Sequence, residues 1–346
     1  MRYFIIRRDN LRLFIDELVS DGYLVYGATR NGGYVEVKSG SDLDLDSVGV
    51  SKTLLKHILY PNNEVLYQYR FTDENIEIYD KLKELFNKKR VIFGLRACDL
   101  KAIEILDRVF LGKYEDPYYK ARRENTLLIG VLCKEIGDKC FCYFVNSGPD
   151  VKANYDLFLT EIDDKYLVEV GSINGLNLIK DYRDYFTLAS EELVSVKEKL
   201  VKKLVEEFKS MNYRSIDEVG KGLKELFESE LWREYGDKCL ACGRCNFVCP
   251  TCNCFNIIDE LDDDLKGGKR VRVWDSCHFV GFTRVASGEV FRRHRASRVR
   301  QRIFHKYYYS LYEIGEFSCV GCGRCIEVCK ANIDIRDILA REVLIT

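Results

Sequence analysis

Cys239-Leu-Ala-Cys242-Gly-Arg-Cys245-Asn-Phe-Val-Cys249-Pro250 and, beginning 70 residues after Cys249 (319 − 249), Cys319-Val-Gly-Cys322-Gly-Arg-Cys325-Ile-Glu-Val-Cys329-Lys330 are two copies of one pattern, C-x2-C-x2-C-x3-C. Soft thiolates suit iron–sulfur clusters. The x2 spacing lets a tight loop carry three thiolates to three corners of one cubane. Gly243 and Gly323 are expected to let the backbone approach the inorganic sulfur. The fourth cysteine of each run lies about one helical turn beyond the third. In two-cluster ferredoxins that residue ligates the other cluster. The expected sets are therefore Cys239, Cys242, Cys245 and Cys329 for one [4Fe–4S] cluster, and Cys319, Cys322, Cys325 and Cys249 for the second. Arg244 and Arg324, in the matching Gly-Arg inserts, are further candidates for cofactor binding. Zinc is the competing reading, but zinc sites usually use paired C-x2-C knuckles rather than two triplet-plus-one runs.

Working outward, the chain has 346 residues and 15 cysteines. That length suggests two or three domains. An odd number of cysteines without a secretory signal points away from a disulfide framework and toward metal ligation. The N-terminal MRYFIIRRDN is too short in apolar residues for a signal-peptide core. No stretch approaches the roughly 18 apolar residues of a membrane span. A net charge of −1 gives no sign of a nucleic-acid or membrane partner. The expected location is the cytoplasm.

The expected fold class is an α/β N-terminal domain followed by an α-helical two-cluster [4Fe–4S] ferredoxin domain. The expected divisions are 1–185, a helical bridge over 186–235, and 236–346. Helical apolar spacing runs from Asn10 to Leu18. Val91-Ile-Phe-Gly-Leu95 and Leu127-Leu-Ile-Gly-Val-Leu132 read as buried strands, and Leu100 to Phe110 as an amphipathic helix between them, which together suggest a βαβ unit. Tyr155–Leu159 and Tyr166–Val170 read as a hairpin around Asp163-Asp164. A charged helix reaches about Lys209, with a break near Asn212 and an amphipathic stretch to Trp232.

Cys98 and Cys133 each follow one of the buried strands, and Cys140 and Cys142 come soon after. Strand ends in α/β folds are where sites collect. Four thiolates are enough for a third [4Fe–4S] cluster or for an all-thiolate zinc site; four unligated core cysteines are the alternative. Asp99 is read as the N-cap of the following helix. Cys252, Cys254 and Cys277 remain. They fit either a further metal or sulfur-substrate site, or small buried thiols beside the clusters.

The segment Phe291 to Lys306 holds six arginines and one lysine between 292 and 306, and no acid. It can offset the charge of anionic clusters, dock an acidic partner, bind DNA or lie in solvent. Its place between the two cysteine runs argues against DNA.

These blocks, in order, resemble the beta subunit of soluble archaeal sulfhydrogenases, which are cytoplasmic nickel–iron hydrogenases. They are also similar to the A subunit of anaerobic sulfite reductases. The resemblance is carried by Val91 to Asp99, Asp116-Pro-Tyr-Tyr119 with Arg122-Arg123, and Gly130 to Cys133 with Cys140-Phe-Cys142. Cys239 to Cys254, Trp274-Asp-Ser-Cys277 and Cys319 to Cys325 complete it. It implies an electron-transfer subunit that links nickel–iron hydrogenase subunits to a gamma-type subunit binding FAD and NAD(P)H. A relay for sulfite or sulfur reductase, or a subunit that itself reduces sulfur species, is the alternative. The absence of a G-x-G-x-x-G fingerprint suits a subunit that does not bind nicotinamide. One departure from the family is Lys330, where proline usually follows the last cluster cysteine. A cation there is expected to raise the potential of the neighbouring cluster.

Iron and acid-labile sulfide counted per chain separate the readings. About eight irons are expected for two cubanes and about twelve if the N-terminal cysteines hold a third.

Overall fold

The apolar run at Val91–Leu95 has no polar alternation, as a strand buried on both faces requires. In the computed structural model, which describes residues 3–29, 33–46, 55–211, 213 and 222–341, this run is an interior strand of a mixed sheet. The strands in chain order are β1 Tyr3–Arg7, β2 Leu24–Ala28, β3 Tyr34–Val37, β4 Asn63–Phe71, β5 Ile76–Asp80 and β6 Arg90–Leu95. They continue as β7 Thr126–Val131, β8 Leu157–Ile162, β9 Lys165–Val170, β10 Thr187–Leu188, β11 Phe255–Leu261 and β12 Gly267–Trp274. The first sheet has the order β10-β1-β9-β8-β7-β6-β2-β3. β2, β6, β7 and β8 are parallel neighbours, and the outer pairings are antiparallel.

The expected βαβ unit is present. Helix Ala97–Phe110 leaves the end of β6, and helix Pro117–Arg123 leads into β7. Asp116 caps the second helix by accepting from the Tyr119 N–H at 2.8 Å, with Pro117 in its first turn. One face of the sheet buries Phe14, Ile15 and Leu18 of helix Arg8–Ser20. The other buries Leu100, Ile103 and Leu106. The hairpin at Asp163-Asp164 pairs β8 with β9, shifted to Leu157–Ile162 and Lys165–Val170. The charged helix spans Glu191–Ser210. The break near Asn212 lies outside the described residues. The expected stretch to Trp232 is a short turn at Glu225–Glu228 followed by helix Leu231–Lys238.

The C-terminal region is less helical than expected. It contains the hairpin β11–β12, whose β-branched and aromatic residues favour a pleated surface. That hairpin joins two strands from the N-terminal part, giving an antiparallel sheet in the order β11-β12-β4-β5. The second sheet thus takes two strands from within 1–185 and two from within 236–346, so the two ends of the chain share one sheet. Among the described residues no helix is long and apolar enough to cross a membrane.

A buried ionic network holds this junction. Arg272 on β12 is only 2% exposed. It pairs with Glu64 on β4 and with Asp116, the cap of helix Pro117–Arg123, and Arg122 pairs with Glu64 as well. The Arg272 guanidinium also lies 4.9 Å from the Tyr60 ring centroid. Removing one member of such a network leaves opposite charges buried without a partner. Arg272→Leu is expected to destabilise the protein by about 3–5 kcal/mol, read as a lower thermal unfolding midpoint. A midpoint within experimental error of the parent would show that the network does not hold the sheet.

Candidate iron–sulfur centres

The two cysteine runs fold into matching loops. Ala241 and Gly321 share a left-handed backbone (φ 51° and 60°), and so do Gly243 and Gly323 (φ 73° and 72°). These turns aim backbone donors at sulfur: the Ala241 N–H reaches Cys239 Sγ at 3.3 Å and the Gly321 N–H reaches Cys319 Sγ at 3.5 Å. The glycines have a second reason besides the expected approach to inorganic sulfur. A Cβ on Gly243 would meet the Phe279 ring at 2.8 Å, and one on Gly323 the Lys139 carbonyl oxygen at 2.5 Å.

The structure brings thiols of the two runs near one another. Cys239 lies close enough to Cys329 and Cys242 to feel their charge, and Cys245 is near Cys239 and Cys329. Cys319 and Cys322 are near Cys249, and Cys325 is near Cys319, Cys249 and Cys322. Cys239, Cys242, Cys245 and Cys329 line one cavity, and Cys249, Cys319 and Cys322 line a second. Cys325 lines both. Burial pushes the Cys245 and Cys319 thiols up to about 11. Such thiols need bound metal to become thiolates. The donor set fits clusters in a second way. Nε2 of His278, which lines the first cavity, is buried with no hydrogen-bond partner among the described residues. Burial, with Arg302 and Arg298 nearby, pushes His278 down to about 3, so it is neutral and keeps one N–H to donate. Among the described residues, no three His, Cys, Asp or Glu side chains converge as they would on a single metal ion.

The basic segment turns one face inward. Helix Arg295–Phe304 continues into a π-turn at His305–Tyr309, and Arg298, Arg302 and Lys306, four residues apart, are all buried. Arg302 is near thiols of both sets: Cys245, Cys325 and Cys249. Lys306 Nζ donates to Thr251 Oγ1 at 2.6 Å, and that hydroxyl lies 3.3 Å from Cys249 Sγ. Lys330 also lines the first cavity but is exposed. Solvent therefore screens its charge far more than that of Arg302.

The two Gly-Arg inserts diverge. Arg244 is exposed. Arg324 is buried, and its Nη2 lies 2.7 Å from Oδ1 of Asp99, which is 0% exposed. Asp99 is not the N-cap. It is the third residue of helix Ala97–Phe110, and its Oδ2 accepts from the Arg96 N–H at 3.1 Å. The helix begins at Ala97, three residues before the expected Leu100, so Asp99 falls in its first turn and its carboxylate reaches back to the N-cap. Its pairing with a residue more than 200 positions away left no local signal.

That ion pair sits where the N-terminal thiols meet the second loop. Cys142 is near Cys133, Cys140 and Cys322, and Cys98 is near Cys142 and Cys322. The Phe141 N–H donates to the Gly321 carbonyl at 2.8 Å. A Cβ on Gly321 would strike the Cys142 backbone nitrogen at 2.6 Å. The four N-terminal cysteines are therefore gathered against the loop of the second run.

Residues 238–333 match the 4Fe-4S dicluster domain family. The chain is 34% identical over 349 aligned residues to Sulfhydrogenase 2 subunit beta of Pyrococcus furiosus, with all of both chains covered. It is 24% identical over 178 residues to the F420-dependent formate dehydrogenase subunit beta of Methanocaldococcus jannaschii, covering 50% of this chain and 38% of that one. With its paired cysteine loops carried on a full-length match, this chain belongs to the sulfhydrogenase beta subunit family, as a [4Fe–4S] iron–sulfur electron-transfer protein.

Proposed function

We propose that the chain relays single electrons through three stations in series, between a nickel–iron hydrogenase module and a flavin- and NAD(P)H-binding subunit. The observation that carries this reading is the contiguity of three cysteine sets. The N-terminal set adjoins Cys322, and Cys325 lines the cavities of both C-terminal sets. Cys239, Cys242, Cys245 and Cys329 would hold one [4Fe–4S] cluster and Cys249, Cys319, Cys322 and Cys325 the second. Cys98, Cys133, Cys140 and Cys142 would hold a third. Bound clusters supply reversible one-electron chemistry. The protein's part is to place them close together, keep water from the inner two and set their charge balance.

The outer end of the series is the first loop. Cys242 is exposed, and Leu240, Arg244 and Lys330 stand exposed around it. A partner's cofactor approaching there meets a small apolar and cationic face. A second surface supports a role as a subunit. Phe71 opposes Ile76 and Tyr69 opposes Ile78, while Gly268 pairs with both Tyr69 and Leu261, so these residues share one face of the second sheet. Phe71, Ile76, Ile78 and Leu261 are exposed there, and contiguous exposed apolar surface of this kind marks a protein interface.

Crossed ligation is tested by Cys249→Ser. The expected result is a changed or lost electron paramagnetic resonance signal for the cluster of the second run, with that of the first run retained. The same signal lost in both Cys249→Ser and Cys239→Ser would refute the crossing. Arg302 tests the charge balance. A buried cation favours the more negative, reduced cluster, so Arg302→Gln is expected to lower at least one midpoint potential by roughly 100 mV, the scale Coulomb's law gives at an effective dielectric near 20. Arg302→Lys should retain most of the parent potential. Unchanged potentials in Arg302→Gln would remove this role.

A further inference from the structure

Three cysteines are left over from the cluster sets: Cys252, Cys254 and Cys277. Two of them are joined. The thiols of Cys254 and Cys277 are within hydrogen-bond reach of each other, and the Cys277 backbone N–H also bonds Cys254 sulfur. The chain segments run side by side here: the Asp275 N–H donates to the Cys254 carbonyl at 3.0 Å, beyond the paired residues Phe255 and Trp274. The contact therefore joins the two ends of the β11–β12 hairpin.

The pair adjoins a cluster set through one side chain. Asn246 is 2% exposed and follows Cys245 directly. Its Nδ2 donates to Cys277 Sγ at 3.0 Å, while its Oδ1 lies 3.4 Å from Cys245 Sγ and 3.4 Å from Arg302 Nη1. Cationic groups surround the sulfur. Lys56 Nζ is buried, donates to the Cys252 carbonyl at 2.8 Å and lies 4.0 Å from the Trp274 ring centroid. The charges of Lys306 and Arg302 also reach Cys277. Arg302 and Lys306 also face the cluster thiols, whereas Lys56 is a further buried cation beside Cys252 and Cys254, and a buried cation costs free energy to desolvate unless it meets negative charge. Anionic sulfur in this pocket is stabilised by all three. Cys277 is buried, whereas Cys254 is half-buried, so the pair has an inner member toward the cluster set and an outer member toward solvent.

We propose that Cys254 and Cys277 form a dithiol–disulfide couple that exchanges electrons with the cluster site at Cys245 and acts on a small-molecule disulfide. This rests on the reading that the chain carries electrons through its clusters. The steps balance. The Cys254 thiol hands its proton to the hydrogen-bonded Cys277 thiolate as its sulfur attacks one sulfur of the disulfide RSSR; the S–S bond breaks, one RS⁻ leaves, and Cys254 carries the mixed disulfide. Cys277 gives that proton up to the departed RS⁻, and its thiolate then displaces the second RS⁻ and closes the Cys254–Cys277 bond. Two electrons, delivered singly from the reduced cluster stations, reopen that bond; one proton from solvent restores the Cys254 thiol and a second protonates the remaining RS⁻. Overall, one disulfide, two electrons and two protons give two thiols. The pair thus converts one-electron carriers into a two-electron chemistry within the same chain.

The test uses the purified, cluster-loaded full chain, kept anaerobic, with glutathione disulfide as the probe. Clusters reduced with dithionite, then freed of excess reductant, are mixed with the probe, and their reoxidation is followed by visible absorbance. The expected result is reoxidation slowed at least tenfold in both Cys254→Ser and Cys277→Ser, with iron content and paramagnetic signals equal to those of the parent. Mass spectrometry of the alkylated parent protein, oxidised by the probe, should show the Cys254–Cys277 linked peptide. Unchanged reoxidation in the variants, or absence of the linked peptide from the parent, overturns the proposal. Iron lost from either variant also overturns it, because the thiols are then ligands. Failure of dithionite to reduce the parent's clusters would instead refute the electron-transfer reading on which the proposal stands.

Discussion

The buried pair between Asp99 and Arg324 is the constraint on which the arrangement of the centres depends. One partner opens the helix after β6, and the other lies between two cysteines of the second loop. With Asp99 fully buried and Arg324 nearly so, neither charge has solvent to fall back on. Taking away one partner of such a pair costs about 3–5 kcal/mol, whereas a well-packed apolar replacement of both is often neutral. The pair is therefore better understood as a registration device than as a source of stability. It sets the loop carrying Cys322 against the helix carrying Cys98, and the Phe141-to-Gly321 hydrogen bond repeats that setting from the other side.

A second ionic cluster does the same for the outer part of the molecule. Arg272 joins the C-terminal hairpin to Glu64 and Asp116 in the N-terminal part. The α/β layer and the cysteine loops thus meet through two buried ionic contacts and a shared sheet. Between them lies the thiol-rich interior, where negative charge accumulates when metal binds. The inward face of the basic segment answers that charge with Arg298, Arg302 and Lys306. A helix carrying these residues toward solvent would be an unremarkable basic face. Turned inward, it becomes part of the electrostatic setting of the centres, since a low local dielectric strengthens each interaction.

How much of this was legible in the sequence follows from the distance over which each feature is decided. The two C-x2-C-x2-C-x3-C runs could be read directly, because a loop around a cubane is a local object of a dozen residues. So could the interior strand at Val91–Leu95 and the helix after it, where periodicity spans one element. Crossed ligation was expected from the fourth cysteine of each run; in the structure Cys329 lies near Cys239 and Cys245, and Cys249 lies near Cys319, Cys322 and Cys325. Asp99 was misassigned as an N-cap because local rules weigh only its neighbours, and its main partner is Arg324. The sheet that holds the β11–β12 hairpin was missed because β12 pairs with β4, about 200 residues earlier.

The sequence by itself determined that this protein carries paired cysteine loops of iron–sulfur type, an α/β part with thiols at its strand ends, and an arginine-rich segment between the loops. Only the tertiary structure decided that the four N-terminal thiols lie together against Cys322, that Arg302 stands between two cysteine sets, and that Cys254 meets Cys277 across the ends of a hairpin. The physical reason is the range of the interactions. Ligand spacing and strand character are fixed by covalent geometry and short-range periodicity, while burial, charge pairing and thiol contact depend on segments brought together only when the chain has folded.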